Sequence, residues 1–501
     1  MELDDDFEDE ITVADYAARR ASVAAAASGL RLMNQIDREE DEGIFPLNEL
    51  GNAQRMEAEF AGKYLWTKAT DWMTYSRGRW GRDNQKGVMR AMISTIEMMR
   101  EVGGDGVEGW YTKSGSSKVI NGSLNIASGL STFARSYAMF DQHPELFNCA
   151  NETFNLQTGM FQPHNPMDML TKQSPVKFDP TATCPMFEKF MLEVMAGKDH
   201  LRLFLQRAGG YSISSDTSDP ALFMPYGTGG TGKSQFIRVM QGVLGSYACT
   251  ADSEMFVAKR GDSGQPFELA GMDGVRALFA SELDEDKKLA QAKVKRMTGS
   301  DGIKACYKGK EAYEFIPQWK IWLATNDKPT VDAADDAIWD RLKLIPFDIK
   351  FRGAKSEVKD IALMLLKEES SGILNWFLKG YEMYKAEGLN YPEEVLKAVS
   401  GWRGEEDYLA GYLQERTEPT TEKNEYVVKT KLFSDFAQWA KDSKEGRWVT
   451  KKQFAEQMKR KGYNKDRVWM GFKLINAFSH YEPDISGLED VDCDPPKKQV
   501  Q

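Results

Sequence analysis

Eight consecutive residues, Gly227-Thr228-Gly229-Gly230-Thr231-Gly232-Lys233-Ser234, satisfy the pattern G-x-x-x-x-G-K-[ST]. They follow an apolar run, Leu222 to Tyr226, that reads as a strand, and they precede a helical stretch, Gln235 to Leu244. Glycines in such a loop let the backbone wrap closely round a phosphate with its N–H groups turned inward. The following helix adds its positive N-terminal end. In that setting Lys233 reaches the β- and γ-phosphates and the Ser234 hydroxyl ligates Mg²⁺. The expected nucleotide-binding set is therefore Gly227 through Ser234 together with Gln235, with ATP and Mg²⁺ as cofactors.

A phosphate loop needs an acid to hold the metal and polarise water. The next apolar run, Val275 to Ala280, ends in Ser281-Glu282-Leu283-Asp284. A carboxylate at the C-terminal end of a strand faces the phosphate crevice of an open α/β sheet. Glu282 is the first candidate for the catalytic and metal-binding acid and Asp284 the second. A later run, Trp319 to Thr325, ends at Asn326, a polar group placed to orient attacking water. Arg341 precedes the last run, Lys343 to Phe347. An arginine there is a candidate finger that stabilises charge on a phosphate held by a neighbouring subunit.

These residues need a scaffold. Between 196 and 352 short apolar runs alternate with helical stretches, which predicts a parallel sheet flanked by helices. Residues 353–403 read as helices completing that core. A hairpin is predicted from Ile303 to Tyr307 and from Ala312 to Phe315, with Lys304, Lys308 and Lys310 able to grip a phosphate backbone. Upstream, residues 47–195 read as an α+β domain. Within it, Lys63, Tyr64, Trp66, Lys68, Trp72, Tyr75, Arg77, Arg79, Trp80 and Arg82 interleave bases with aromatics. That mixture suits either single-strand stacking or an ordinary core with a solvated basic face. Downstream, residues 404–482 predict two helices and a hairpin, the pattern of a winged helix. The second helix carries Lys451, Lys452, Lys459 and Arg460 as DNA-facing candidates, with Phe454 and Met458 on its other side.

The chain has 501 residues, 41% of them hydrophobic and 28% charged, enough for several packed domains. Its net charge of −11 is unevenly spread: residues 1–60 alone hold 16 acidic and 5 basic residues. By contrast, residues 429–473 hold 13 Lys/Arg against 5 Asp/Glu, so an acidic total does not exclude a nucleic-acid partner. Residues 1–46 and 483–501 read as largely disordered tails. No run of about 18 apolar residues predicts a membrane span. Five scattered cysteines argue against a zinc ribbon or disulfide scaffold and for the cytoplasm.

Phosphate loop, acid, basic hairpin, Asn and Arg occur in that order between Gly227 and Arg341. This order resembles superfamily 3 helicases, the AAA+-type ring ATPases of viruses and plasmids. More closely the chain resembles the phage and plasmid primase-helicase family, related to the poxvirus helicase-primase. The matching strings are Phe204-Leu-Gln-Arg207, Ala280-Ser-Glu282, Thr298-Gly-Ser-Asp301, Tyr313-Glu-Phe-Ile-Pro317, Leu323-Ala-Thr-Asn326 and Arg341-Leu-Lys-Leu-Ile-Pro-Phe347. Outside that region Gly51-Asn-Ala-Gln-Arg55, Leu156-Gln-Thr-Gly159, Gly372-Ile-Leu-Asn-Trp376 and Val468-Trp-Met-Gly471 match as well. Two positions depart from the family: Cys306 stands where Arg is common, and Asp340-Arg341 where two arginines are common.

The resemblance implies an AAA+-like P-loop ATPase core and a hexameric ring. It further implies ATP-driven translocation on single-stranded DNA, usually 3′ to 5′, in replication of a phage or related mobile element. Lys233 and Ser234 take the loop roles, Glu282 the acid, Asn326 the sensor and Arg341 the finger. Residues 1–190 carry no cluster of metal-binding carboxylates and no cysteine motif for a fused primase, so priming is expected of a separate primase or polymerase. Forked DNA is the expected substrate. The alternatives are an origin-binding ATPase that remodels DNA without processive unwinding, and an RNA-directed helicase.

Overall fold

The computed structural model describes residues 45–475, except 105, 259–265, 283–286, 309–311, 334, 355–356, 421–425, 443–449 and 466–467. The acidic segment up to residue 44, the tail 483–501, Asp284 and Lys310 lie outside the described residues. Two units are distinguished: one runs to Val331 and includes Asp336–Trp402, the other comprises Asp332–Asp335 and the chain from Arg403.

The first unit opens with a helical layer, α1 (Glu49–Phe60), α2 (Gly87–Val102), α3 (Val107–Ser114) and α4 (Ser117–Ala127). Short polar side chains start α1 and α2. Asn48 accepts from Gly51 N at 2.9 Å, and the two Asp83 carboxylate oxygens accept from Gly87 N and Val88 N at 2.7 Å each. Met56, Met92, Ile96 and Trp110 bury one core here. A meander of β1 (Tyr64–Thr67), β2 (Asp71–Ser76) and β3 (Arg79–Arg82) follows in sequence after α1, and a second of β4 (Leu146–Asn148), β5 (Thr153–Asn155) and β6 (Met160–Gln162) lies beyond α4.

This layer accounts for several of the interleaved aromatics. Tyr64 is buried and Trp72 packs edge-on against Phe133 on one face of the meander, while Trp80 is buried on the other. These rings are core because both faces of the meander are covered.

The motor layer is a five-stranded, all-parallel sheet. Its strands are β7 (Leu222–Tyr226), β8 (Ala248–Thr250), β9 (Ala277–Ser281), β12 (Lys320–Ala324) and β13 (Leu342–Pro346), and their spatial order is β13-β7-β12-β9-β8. Numbered within the sheet, that order is 5-1-4-3-2. Successive residues of each strand enter different cores. Phe223, Phe279, Trp322 and Ile345 join α6 (Asp199–Ile213), α7 (Lys233–Leu244) and α10 (Ile361–Glu387) on one face. Leu222, Leu278, Leu323 and Leu344 join α8 (Gln291–Met297) and α9 (Asp336–Trp339) on the other. Burial on both faces explains why the strands read as continuous apolar runs rather than as alternating ones.

Helix α10 and helix α6 meet backbone to backbone. A Cβ on Gly380 would lie 2.0 Å from Gln206 O, and one on Gly210 would lie 2.1 Å from Tyr381 N. Glu369, where α10 kinks, is buried and accepts from Met186 N and Phe187 N at 3.0 and 2.9 Å. Its charge thus sits at the positive N-terminal end of α5 (Pro185–Val194).

The hairpin β10 (Ile303–Cys306) and β11 (Ala312–Phe315) forms as expected, a separate two-stranded antiparallel sheet.

The second unit contains α12 (Tyr408–Arg416), β14 (Thr417–Pro419), β15 (Tyr426–Val428), α13 (Lys429–Asp442), α14 (Lys451–Arg460), β16 (Asn464–Lys465), β17 (Val468–Met470) and β18 (Phe472–Leu474). Strands β15, β17 and β16 form one antiparallel sheet, and β14 pairs with β18. Tyr412, Leu432, Phe436, Phe454, Met458 and Trp469 fill the unit's own core.

Candidate nucleotide-binding site

Three strand ends converge at the carboxyl edge of the motor sheet. Strand β7 runs into the glycine loop, β9 into Glu282, and β12, which lies between them, into Asn326. In parallel sheets this edge is where ligands are held.

The loop needs its glycines for two reasons. Gly227, Gly230 and Gly232 have φ of 151°, 87° and 93°, values that side chains oppose. Close packing excludes a Cβ as well: on Gly227 it would lie 2.3 Å from Phe347 O, and on Gly230 2.4 Å from the Arg352 Cβ. Phe351 N donates to Gly230 O at 2.8 Å, so the segment after β13 braces the loop.

Lys233 is buried at the start of α7, with its ammonium facing a ring of acceptors. It donates to Gly227 O, to Thr228 O at 2.9 Å, to Thr231 Oγ1 at 3.4 Å and to Asn326 Oδ1 at 3.1 Å. Burial pulls this ammonium below the usual lysine range, and the Glu282 charge opposes that pull. Two distant sequence positions, Lys233 and Asn326, are thereby joined directly, and Glu282 is near enough to influence the same ammonium.

Glu282 follows the last residue of β9, with its N–H bonded to Ala324 O at 2.9 Å. Its φ is 61°, a left-handed conformation that costs a non-glycine residue on the order of 1 kcal/mol or more. Ser234 is exposed on the first turn of α7, as is Glu282 at its strand end. A hydroxyl and a carboxylate make an oxygen donor set of the kind Mg²⁺ takes when phosphates and waters supply the remaining ligands. Gln235 has a structural engagement: its Oε1 accepts from Ala362 N at 3.3 Å and so secures the start of α10.

Arg341 stands elsewhere. Its backbone carbonyl accepts from Leu222 N at 2.7 Å, level with the first residue of β7, whereas the glycine loop begins after the last. A five-residue strand, roughly 16 Å, separates the two. The guanidinium donates to Thr298 Oγ1 at 3.0 Å and to Ala337 O at 2.5 Å. It borders a cavity of about 700 Å³ shared with Ser215, Asp216, Gly299 and Ser300.

Sequence reasoning missed two buried cations at this amino edge. Arg276 donates to Ile213 O at 2.8 Å and to Leu146 O, and its guanidinium lies 4.6 Å from the Tyr247 ring. Lys320 donates to Ser214 O and to Asp216 O at 3.0 Å, with its ammonium 4.7 Å from the Tyr211 ring. Ile213 ends α6, so both cations cap the negative end of a buried helix. Burial, then the neighbouring Arg276, push Lys320 well below the usual lysine range. A charged residue inside an apolar strand run was the available signal.

The nucleic-acid candidates fall in different settings. Lys304 and Lys308 are exposed, but Lys304 is registered opposite Glu314 across the hairpin. Lys451, Lys452 and Lys459 are exposed on α14, opposite the buried Phe454 and Met458, and Arg460 is that helix's last residue. Among the described residues, no group of three or more His, Cys, Asp or Glu is arranged to hold a metal, and no helix is long and apolar enough to cross a membrane.

Comparison with known proteins matches residues 53–196 to the family described as D5 N terminal like, and residues 226–341 to a family of unknown function, DUF5906. A protein of Acanthamoeba polyphaga mimivirus named as a helicase, L207/L206, is 24% identical over 327 residues, covering 61% of this chain and 34% of the relative. The helicase-named 121R of Invertebrate iridescent virus 3 is 24% identical over 362 residues, covering 65% and 38%. Primase D5 of Fowlpox virus is 24% identical over 192 residues, covering 37% and 23%. The chain thus spans at most 38% of the length of these relatives. Among solved structures, the apo C-terminal region of NrS-1 aligns with a TM-score of 0.47 and 10% identity, over 74% of this chain and 80% of that one.

Proposed function

This chain belongs to the D5-like primase-helicase family of phages and viruses, and we propose that it is an ATP-driven DNA helicase of superfamily 3 acting in replication. The observation that carries this reading is the split of its candidate machinery across one sheet. Lys233, Glu282 and Asn326 gather at the carboxyl edge, while Arg341 stands at the amino edge.

The glycine loop and the first turn of α7 hold the triphosphate, and Lys233 exchanges carbonyl partners for phosphate oxygens. Ser234 and Glu282 hold Mg²⁺, which neutralises phosphate charge when bound. Glu282 polarises the attacking water and Asn326 orients it. Asp284, two residues on, remains the second candidate acid. Arg341 is too far along β13 to reach its own loop, so it completes the site of a neighbouring copy. That assignment requires a head-to-tail neighbour, for which a closed hexameric ring is the expected form. The strand order 5-1-4-3-2 supports an AAA+-like core.

In this reading Lys304, Lys308 and Lys310 of the hairpin hold the backbone of a single strand. The second unit acts as a basic winged helix, with Lys451, Lys452, Lys459 and Arg460 against duplex phosphates.

The deciding measurement is strand separation on 3′-tailed, 5′-tailed and forked DNA with ATP and Mg²⁺, beside hydrolysis stimulated by single-stranded DNA or RNA. Separation on 3′-tailed or forked DNA is expected. DNA-stimulated hydrolysis without separation would replace the helicase with an origin-remodelling ATPase. Stimulation by RNA alone would replace the substrate.

A further inference from the structure

The basic hairpin does not project freely from the motor. Its base is tied to the N-terminal layer through one carboxylate, Asp273, in the turn before β9. Tyr137, from the N-terminal layer, donates to Asp273 Oδ2 at 2.6 Å. Tyr313, from β11, donates to Asp273 Oδ1 at 3.0 Å and accepts from Gly271 N at 2.9 Å. The rings close the same junction. Tyr137 meets Tyr313 edge-on with centroids 5.2 Å apart, and Tyr307, just beyond β10, stacks on Tyr313 at 5.8 Å. On the outer side Arg82 of β3 lies 4.9 Å from the Tyr307 ring centroid.

Four segments therefore share one cluster: β3, the segment at Tyr137, the turn at 271–273, and the hairpin through Tyr307 and Tyr313. The first two fall within the region matched to the D5 N-terminal family, the other two within the second matched region. Hydrogen bonds to an ionised acceptor are among the stronger ones, and Asp273 is itself buried. Burial first, then the Asp273 charge, hold Tyr137 and Tyr313 far above the usual phenol range, so both remain donors. Among the described residues the hydrogen bonds of Lys233, Glu282 and Asn326 do not reach this cluster, and holding a phosphate does not require it.

We propose that Asp273 is a positioning residue: it locks the hairpin base to the N-terminal layer, so that a strand held by the hairpin moves with that layer. The coupling part of this inference rests on the helicase reading; the anchoring part stands on the contacts alone.

Two measurements test them separately. The first is hydrogen exchange of amides 303–306 and 312–315 in Asp273→Ala, Asp273→Asn and Tyr137→Phe, each checked for a native melting transition. Faster exchange confined to the hairpin and the Tyr137 segment is expected for Asp273→Ala, with Asp273→Asn intermediate because its amide keeps one acceptor but turns an N–H donor toward the second phenol. Unchanged exchange in folded Asp273→Ala overturns the anchor.

The second is base pairs separated per ATP hydrolysed. Asp273→Ala is expected to leave DNA-free hydrolysis within about twofold of wild type while lowering separation per ATP roughly tenfold, a loss that Asp273→Asn makes good only in part. Unaltered separation per ATP in Asp273→Ala overturns the coupling. Should wild type itself fail to separate strands, the helicase reading and the coupling fall together, and exchange alone decides the anchor.

Discussion

The two edges of the motor sheet both bury cations, and they use them in opposite ways. At the carboxyl edge Lys233 donates to loop carbonyls and to Asn326, in a layer that also presents exposed Ser234 and Glu282. At the amino edge Arg276 and Lys320 are sealed under Tyr247 and Tyr211 and spend their donors on the end of α6. In the proposed reading the same chemistry, a buried cation among carbonyl oxygens, is catalytic where the backbone is a glycine loop open to solvent. It is structural where the carbonyls belong to a packed helix end. Accessibility distinguishes them, not charge.

That contrast is tested most severely by Arg341, which lies at the amino edge but is exposed to a cavity rather than sealed. If it serves a neighbour's phosphates, Arg341→Ala should lower hydrolysis about 10³-fold while ATP binding persists. Mixing it with Lys233→Ala subunits should restore part of the turnover, measured as phosphate release in mixed assemblies. Failure of the mixture to recover would place Arg341 with Lys320 as a structural cation. Lys233→Ala should reduce turnover by at least about 10²-fold, with the melting temperature nearly unchanged, because its loss removes charge stabilisation rather than packing.

Lys320→Met should do the reverse. The buried carbonyls of Ser214 and Asp216 lose a donor. A cost of about 2 kcal/mol is expected, with hydrolysis per folded molecule retained. Denaturant unfolding beside active-site titration checks both halves. The depressed lysine also sets a pH trend. Its folded value lies below its unfolded one, so this group's contribution to stability is complete above the ordinary lysine value and is lost as pH falls through the folded value.

The carboxyl edge was legible in sequence because each component sits at a strand end, where an apolar run stops at a polar residue. Glu282 and Asn326 follow that rule directly, and Lys233 follows it through the glycine loop that leaves β7. Arg276 and Lys320 were not, because a cation at the first residues of a buried strand makes sense only once α6 is placed beneath it. Asp273 escaped for the same reason: its partners Tyr137 and Tyr313 lie 136 and 40 positions away. Gln235 was assigned to the nucleotide from its place after the loop, yet its side chain reaches α10, a partner 127 positions distant. The aromatic run from Tyr64 to Trp80 showed its composition but not its partition, which the meander imposes.

The hairpin offers the finest version of the comparison, between two exposed lysines a few residues apart. Lys304 stands opposite Glu314, so part of its field is cancelled before any phosphate approaches. Lys308 lies at the turn beyond β10, outside the registered pairs of the described residues. If the hairpin holds a strand by charge, Lys308→Ala should weaken single-stranded DNA binding several-fold and reduce the slope of log K against log salt by about 0.7, the share of one phosphate contact on a single strand. Lys304→Ala should change that slope less, since removing the lysine also frees Glu314 to repel the strand without removing a full contact. Fluorescence anisotropy across a salt series separates the two. Equal slopes for both variants would mean that local pairing does not set the grip, and a flat response in both would remove the hairpin from the strand path.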